Sequence, residues 1–495
     1  PITKKEAEHD GREEVPARVR GTGRDRGDTT LEEAPPEDVR GAGEAGEAGR
    51  GGVQRTGADR GDVRRPDQSG DAVLHGTGER EGELDIPAGR REDADTGRDE
   101  RPAGRRPGDL GILGDSGGIT AQNYRITEQE GIEDRSVRRM TLDNVAAIRL
   151  MKQLLTKGRQ ATAAEQETLV KYAGWGFNKK VFSDVLTTDD GYNDVRRDLK
   201  EILTQKEWEH ARASAQFAHY TSAPVIRAMY NVLERLGFHG GRVLEPAMGV
   251  GHFFGLMPAE MERDSWLTGV EIESITGNIA KLLYPRGSVN IMGYQNFDVP
   301  YDKKKLLREN YFDLVISNVP FSKARTFRDP RYEHALSGQA DNLHNYFFVK
   351  GIDQVRPGGL MAFITSHYTM DAAGPQTRDF RNTLTAKADF LGAVRLHNEA
   401  FKDIAETRVV TDVIFMQKRE EGTEPSANSQ QWASTVRVTE IEGASYLGQQ
   451  ANINEYYVNN PEMVLGKQTM RGKQYRDDEY TVEATEETKD LERAI

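Results

Sequence analysis

The stretch that decides the fold is Arg242–Gly255, which reads RVLEPAMGVGHFFG. Its apolar start predicts a short β-strand ending on Glu245, and the glycines after it predict a tight turn leading into a helix. Glycine lets a backbone approach a ligand closely, and the first turn of a helix offers unpaired N–H groups. The stretch therefore predicts a strand–turn–helix unit that can hold a nucleoside.

Strands and helices alternate outward from this unit as far as Gln417. Alternation of this kind predicts an α/β fold with a doubly wound, mostly parallel, Rossmann-like sheet. The last two strands are close enough in sequence to form an antiparallel edge pair. The seven predicted strands are Arg242–Glu245, Trp266–Glu271, Val289–Gly293, Phe312–Ser317, Gly359–Thr365, Phe390–Leu396 and Asp412–Gln417.

The flanking regions divide the chain into four parts. Residues 1–120 contain no aromatic residue and are rich in Gly, Arg, Asp and Glu, so we expect a disordered tail. Residues 121–215 show helical periodicity and form a predicted helical lead-in. Residues 216–420 form the α/β domain, and residues 421–495 read as a polar, acidic extension.

The composition excludes several classes of protein. The 495 residues include no Cys, which rules out disulfides, thiolate metal sites and a cysteine nucleophile, and no metal site is predicted. No apolar run approaches the ~18 residues of a membrane span, so we expect a cytoplasmic protein without a membrane partner. The formal charge of −13 comes from the two ends, about −8 from residues 1–120 and about −7 from 421–495, which leaves about +2 for the middle. The acidic total therefore does not argue against a nucleic-acid partner.

The glycine turn alone does not fix the ligand. The dinucleotide pattern G-x-G-x-x-G is not met, because Gly255 follows Gly251 one position too late. No P-loop pattern is found either. Glu271 ends the second strand, where a carboxylate suits the two ribose hydroxyls of a nucleoside, but that spacing also fits NAD-binding folds.

Two motifs carry a resemblance to a known family. The acidic-Pro-x-x-Gly-x-Gly-x-Phe form of Glu245–Phe253 resembles the cofactor motif of S-adenosylmethionine-dependent methyltransferases, and Asn318–Phe321 (NVPF) resembles the Asn-Pro-Pro-Tyr/Phe motif of amino-methylating enzymes. The resemblance implies a class I methyltransferase fold with S-adenosyl-L-methionine as cofactor. It places Glu245, Pro246, Gly249, Gly251, Glu271 and Ile272 at that cofactor.

The second motif indicates the chemistry. An exocyclic amine on an aromatic ring is a poor nucleophile and needs acceptors for its two hydrogens. The resemblance gives these roles to the Asn318 amide oxygen and the Val319 carbonyl, while Pro320 stiffens the turn and Phe321 stacks on a flipped base. Valine in place of the family's first proline still provides the carbonyl.

Two further segments resemble parts of the family. Phe217–Pro224 (FAHYTSAP) resembles the segment that closes over the methionine end of the cofactor, which assigns Tyr220 and Thr221 as contacts. After the third strand the family places a polar side chain on the cofactor's adenine ring, and here either Gln295 or Asn296 fills that position.

The motif order resembles the gamma arrangement of DNA adenine-N6 methyltransferases. Segments from NYRIT (123–127) to TDVIFMQKR (411–419) resemble the methylase region of very large methylase–helicase proteins of phages and conjugative elements. The resemblance implies a site-specific or loosely specific methylation of adenine N6 in DNA. It also implies a helicase region or partner that this chain lacks.

The loop after the catalytic motif is the expected DNA-binding element. Its cations can contact phosphates, and they are Lys323, Arg325, Arg328 and Arg331. Two other functions stay open: methylation of a protein glutamine, whose amide uses a similar Asn-Pro-Pro-Tyr device, and a non-catalytic DNA-binding or anti-restriction module with the same fold.

Overall fold

A computed structural model describes residues 121–132, 135–183, 191–215, 221–299, 309–321, 329–332, 342–401, 409–439, 441–443, 449–472 and 479–495. The predicted tail at 1–120 lies outside the described residues, as do Tyr220, Lys323, Arg325 and Arg328. All described residues belong to one compact unit, Arg98–Ile495.

The central sheet has seven strands, as predicted. In chain order they are β1 (Arg242–Glu245), β2 (Trp266–Glu271), β3 (Ser288–Ile291), β4 (Phe312–Asn318), β5 (Val355–Ser366), β6 (Ala388–Leu396) and β7 (Thr411–Lys418). The order across the sheet is β3-β2-β1-β4-β5-β7-β6. The first five strands run parallel, and β7 lies antiparallel between β5 and β6. The predicted antiparallel pair is confirmed, with β6 at the edge of the sheet.

The helices of the lead-in and of the α/β domain follow the predicted pattern. They are α1 (Val137–Lys157), α2 (Ala163–Leu169), α3 (Asn193–Ile202), α4 (Gln205–Ser214), α5 (Ala223–Arg235), α6 (His252–Leu256), α7 (Ala259–Arg263), α8 (Ser274–Leu283), α9 (Leu343–Gln354), α10 (Tyr368–Asp371) and α11 (Pro375–Thr385). A capping box begins α2: the Thr162 side chain accepts from the Glu165 N–H, and the Glu165 side chain accepts from the Thr162 N–H. None of the described helices has the length and apolar composition needed to cross a membrane.

The segment after residue 421, predicted only as a polar and acidic extension, contains helices and strands. It contains α12 (Ala427–Gln431), β8 (Thr435–Val438), β9 (Ala451–Asn454), α13 (Glu455–Asn459), β10 (Lys467–Gly472), β11 (Glu479–Glu483) and α14 (Leu491–Ala494). Trp432, Tyr457 and Val482 are fully buried in the core. The few apolar residues of this segment are therefore its packing sites.

Alternate side chains of the sheet serve two separate cores. Leu314 and Ile316 of β4 point to the face covered by the lead-in and by α5 and α8. Val315 of the same strand points to the face covered by α9, α11 and the C-terminal segment, and Phe312 joins that core because the register shifts between Phe312 and Leu314. Because both faces are covered, the carboxyl ends of β1–β4 form the exposed edge, and ligands bind to open α/β sheets at that edge.

Candidate active site

The glycine turn after β1 has the left-handed backbone that its glycines predict. Gly249 has φ +54° and Gly251 has φ +82°, and α6 starts directly after it. A Cβ atom on Gly251 would lie 2.5 Å from the Tyr284 ring. We expected this glycine to leave space for a ligand, but the structure shows that its missing side chain leaves space for a buried core tyrosine.

The carboxylate of Glu271 is held by two turns at once. The Gly249 N–H donates to Oε2 at 2.9 Å, and the Glu273 N–H donates to Oε1 at 2.8 Å. Each carboxylate oxygen keeps a further lone pair for an incoming hydroxyl. Burial raises the pKa of Glu271 to about 7. This arrangement presents a fixed pair of acceptors at the carboxyl edge, which suits two neighbouring ribose hydroxyls.

Two exposed apolar side chains stand next to this carboxylate. Ile272 is 69% exposed and Met292 is 37% exposed. The Met292 N–H donates to the Glu271 carbonyl at 2.9 Å, which places the turns after β2 and β3 side by side. The sequence assigned Ile272 to the cofactor but did not point to Met292. The pattern that could have identified Met292 is an apolar residue at the end of a strand, next to a glycine. Together they offer an apolar surface for a purine ring.

Glu245 is a buried carboxyl with an unsatisfied oxygen. It is 2% exposed, and its Oε2 atom has no hydrogen-bond partner among the described residues. Burial, followed by repulsion from Glu271, raises the pKa of Glu245 well above its usual range. A buried polar atom without a partner is costly, so its presence at the carboxyl edge favours a ligand that supplies the missing donor. The adjoining Pro246 is buried and stiffens the same turn.

The turn after β4 brings Asn318 against Thr221. The Asn318 Nδ2 group donates to the Thr221 Oγ1 atom at 3.0 Å, across 97 positions of sequence. This bond fixes which side of the Asn318 amide faces Thr221. Thr221 was predicted to contact the cofactor, and its contact with Asn318 was not predicted.

The backbone of the same turn explains the valine in the motif. The Val319 N–H donates to the Ile364 carbonyl of β5 at 3.1 Å, a bond that proline cannot make. The Val319 side chain is buried, while Pro320 and Phe321 are half-buried. Phe321 packs on the apolar cluster of the lead-in face and keeps part of its ring exposed.

The turn after β3 carries both candidates for the adenine contact. Gln295 is half-buried and Asn296 is exposed, and they share one 3-10 turn, Tyr294–Asn296. A Cβ atom on Gly293 would lie 2.4 Å from the Gln295 Oε1 atom, so the Gln295 amide folds back over the end of β3. Gln295 and Asn296 both stay predictions for the adenine contact.

Arg331, which the sequence predicts to contact DNA phosphate, forms ion pairs with two carboxylates. Its Nε and Nη2 atoms lie 2.8 and 2.9 Å from the two oxygens of Asp329, and its Nη1 atom donates to Asp298. A guanidinium neutralised by two carboxylates is a poor phosphate ligand. These ion pairs weaken the prediction that Arg331 contacts phosphate, and the other members of the predicted DNA-binding set lie outside the described residues.

The predicted site residues converge on one edge of the sheet. Strands β3, β2, β1 and β4 are neighbours in the sheet. The carboxyl ends of these strands and the turns after them carry all but one of the described residues in the predicted cofactor and catalytic sets. The exception is Thr221, which precedes α5 and contacts Asn318 through its side chain.

Comparison with known proteins identifies the family. The profile described as N-6 DNA Methylase matches residues 193–454, more than half of the chain. The chain belongs to the N-6 DNA Methylase family. The match runs from α3 through the catalytic turn to the end of β9, so it includes every described residue of the site.

An individual relative matches a smaller part of the chain than the family profile does. The chain is 30% identical over 221 residues to "Defense against restriction protein B" of Escherichia phage P1, an alignment that covers 44% of the chain and 9% of that protein. The chain thus spans under a tenth of this relative's length.

Solved structures with a similar fold include two methyltransferases. One is a type I restriction-modification methyltransferase subunit from Streptococcus thermophilus (15% identity, 69% of this chain and 75% of that one covered, TM-score 0.36). The other is a putative class I S-adenosylmethionine-dependent methyltransferase from Listeria monocytogenes (13% identity, 59% and 91% covered, TM-score 0.36).

Proposed function

We propose that this chain transfers a methyl group from S-adenosylmethionine to the N6 amino group of a flipped adenine in DNA. The observation that carries the proposal is the Asn318–Thr221 hydrogen bond, which holds the amide of the NVPF motif at the carboxyl end of β4 with its nitrogen toward Thr221. The family membership supports the substrate class, and the site geometry supports the chemistry.

The residues at the carboxyl edge fit the cofactor. Glu271, fixed by two backbone N–H groups, would accept from both ribose hydroxyls. Ile272 and Met292 would cover the adenine ring, and Gln295 or Asn296 would bond to its polar edge. The unsatisfied oxygen of Glu245 would accept from the methionine ammonium group. When bound, S-adenosylmethionine supplies an electrophilic methyl group on its sulfonium sulfur.

The residues after β4 fit the target base. The Asn318 amide oxygen and the Val319 carbonyl would each accept one hydrogen of the amino group, which favours a pyramidal nitrogen with its lone pair aimed at the methyl group. Phe321 would stack on the extruded base, a contact worth ~1–3 kcal/mol that offsets part of the few kcal/mol of unstacking. The new N–C bond would form as the methyl–sulfur bond breaks, which leaves S-adenosylhomocysteine, and the nitrogen would lose one proton to water.

The relative from phage P1 favours a second candidate. The name of that protein describes defence against restriction, which this chain could serve either by methylating DNA or by binding it without catalysis. The buried carboxyl of Glu245 and the clamped carboxylate of Glu271 favour catalysis, because a module that binds only DNA does not need a nucleoside site.

A labelled-methyl assay tests these alternatives. Tritiated S-adenosylmethionine is offered with duplex DNA, RNA and protein acceptors in separate reactions, using wild type and Asn318→Ala. We expect label on DNA only, lost in the variant. Label on protein would support the glutamine reaction, and no label on any acceptor despite cofactor binding would support the non-catalytic module.

A further inference from the structure

Strands β5 and β7 extend past the catalytic turn at the carboxyl edge. The pairing of β4 with β5 ends at Asn318 and Ile364, whereas β5 goes on to pair with β7 as far as Ser366. The His367 N–H then donates to the Val410 carbonyl at 3.3 Å, which adds one more step. At ~3.3 Å per residue, His367 projects about 10 Å past Asn318 along the strand direction. We therefore expect a duplex that delivers a base to Asn318 to pass close to His367.

His367 is a buried histidine with one ring nitrogen unsatisfied. It is 8% exposed, and its Nδ1 atom has no hydrogen-bond partner in the part of the chain that the structure describes. Burial, followed by the charge of Arg395, lowers the pKa of His367 to about 3, so the imidazole is neutral near pH 7. A buried polar atom without a partner is costly, so this nitrogen favours a ligand that supplies one.

Two tyrosine rings lie beside this imidazole. The centre of the Tyr368 ring is 4.1 Å from that of His367, with 33° between the two planes, and the centre of the Tyr480 ring is 6.0 Å away. Both tyrosines are half-buried, so part of each side chain stays accessible. Aromatic surface next to an unsatisfied ring nitrogen suits a planar nucleobase, which can stack and hydrogen-bond at once.

The cation nearest to His367 is not available to a phosphate. Arg395 is fully buried, and its Nε and Nη2 atoms bond to the two oxygens of Asp412 at 2.8 and 2.9 Å. Its Nη1 atom bonds to Asp371 at 2.7 Å and also donates to the Tyr480 hydroxyl at 3.3 Å. A neutral imidazole beside a guanidinium that is paired with two carboxylates attracts a phosphate weakly. The surroundings of His367 therefore favour an uncharged base.

We propose that His367, Tyr368 and Tyr480 hold the base that is left unpaired when the target adenine is extruded from the duplex. This inference rests on the proposed function, since it requires a base to leave the duplex at Asn318. Extrusion frees the hydrogen-bonding groups of the opposite thymine, whereas the flanking bases keep their pairing partners. Thymine carries both a donor and acceptors on its pairing edge, so either tautomer of His367 finds a partner there.

The test measures how the cost of losing His367 depends on the bases in the DNA. Dissociation constants are measured by fluorescence anisotropy, with S-adenosylhomocysteine present, for the full chain and for His367→Ala. Three labelled duplexes contain one adenine that the wild type methylates: an intact duplex, one that lacks the base opposite that adenine, and one that lacks a base flanking it. On each duplex, the constant of the variant divided by that of the wild type cancels the cost of extrusion, which the missing bases also change.

The ratio of the two constants should depend on the opposite base alone. We expect His367→Ala to weaken binding of the intact duplex by about five- to tenfold, the scale of one hydrogen bond. The ratio should fall to about one when the opposite base is missing and keep its full value when the flanking base is missing. A ratio lost only with the flanking base would overturn the unpaired base as the ligand. An equal ratio on all three duplexes, or no loss on the intact one, would overturn base binding at His367.

Further variants separate base binding from general loss of structure. His367→Asn keeps a polar atom near the position of Nδ1 and should recover part of the affinity for the intact duplex. If His367→Ala does not fold, Tyr368→Ala, at a half-buried side chain, should show the same dependence on the opposite base. Tyr457 is fully buried and donates to Asp412 at 2.9 Å, so Tyr457→Phe should lower the melting temperature and leave the ratio at about one on every duplex.

The outcomes distinguish failure of this site from failure of the proposed function. A wild type that binds the cofactor but methylates no adenine would overturn the proposed function. A wild type that methylates DNA, together with His367→Ala and Tyr368→Ala ratios that ignore the opposite base, would overturn only the role of this site.

Discussion

Replacing Thr221 by valine should slow methyl transfer without weakening cofactor binding. Valine keeps the shape of threonine but removes the oxygen that accepts from Asn318 Nδ2 at 3.0 Å. A neutral hydrogen bond contributes ~0.5–1.5 kcal/mol. If the amide loses that much stabilisation of its orientation, the rate should fall by about 2- to 13-fold.

The assay is single-turnover transfer of tritiated methyl groups to duplex DNA at saturating cofactor. Thr221→Ser is the matched control, because it keeps the hydroxyl and should retain most of the rate. Asn318→Ala alone should lose about 10²–10³-fold, the scale for one preorganised polar contact at a reacting centre. Adding Thr221→Val to Asn318→Ala should change little more, since Thr221 acts through Asn318.

Two results would refute this reasoning. One is a Thr221→Val variant with the wild-type rate. The other is a weaker affinity for S-adenosylhomocysteine with an unchanged rate at saturation, which would return Thr221 to the cofactor contact that its sequence motif predicts.

Three further predictions concern the cofactor and base sites. Because the ionised form of Glu271 accepts from ribose and its pKa is about 7, affinity for S-adenosylhomocysteine should rise about tenfold from pH 6 to pH 8, and Glu271→Gln should flatten that dependence in calorimetric titrations. The raised pKa of Glu245 means that the folded state favours the protonated form, so stability is lost as pH rises above the usual carboxyl value. Glu245→Gln should therefore stabilise the ligand-free protein more at pH 8 than at pH 5 in thermal melts, while cofactor affinity drops; equal stabilisation at both pH values would contradict the assignment. Phe321→Ala should raise the KM for DNA by an amount equivalent to ~1–3 kcal/mol, whereas Phe321→Tyr should be tolerated, and equal losses in both would exclude stacking.

The sequence predicted the sheet and the turns that form the site because these depend on local patterns. Arg242–Glu245 and Trp266–Glu271 match the predicted strands residue for residue, since each is a short apolar run bounded by clear turn signals. The predicted strand begins at Gly359, whereas β5 begins at Val355. Pro357 and the two glycines after it argue against a strand from sequence, and a register shift between β4 and β5 accommodates them in the sheet.

Contacts between distant segments could not be predicted in the same way. The bond between Thr221 and Asn318 spans 97 positions, and Arg331 reaches Asp298 across 33. From the sequence alone, Arg331 was predicted to bind phosphate. One of its two carboxylate partners, Asp298, belongs to another turn, so the local sequence does not reveal this ion pair. Trp432 is likewise buried by residues of the sheet that are distant in sequence, so the local composition does not predict its burial.

The proposed reaction is tested most directly by identifying the methylated nucleoside. Duplex DNA is incubated with the protein and S-adenosylmethionine carrying a deuterated methyl group, digested to nucleosides and analysed by mass spectrometry. We expect deuterated N6-methyladenine with wild type and none with Asn318→Ala. Deuterated N4-methylcytosine would contradict the assignment of the base, and unmodified DNA from a wild-type protein that binds the cofactor would contradict the assignment of the reaction.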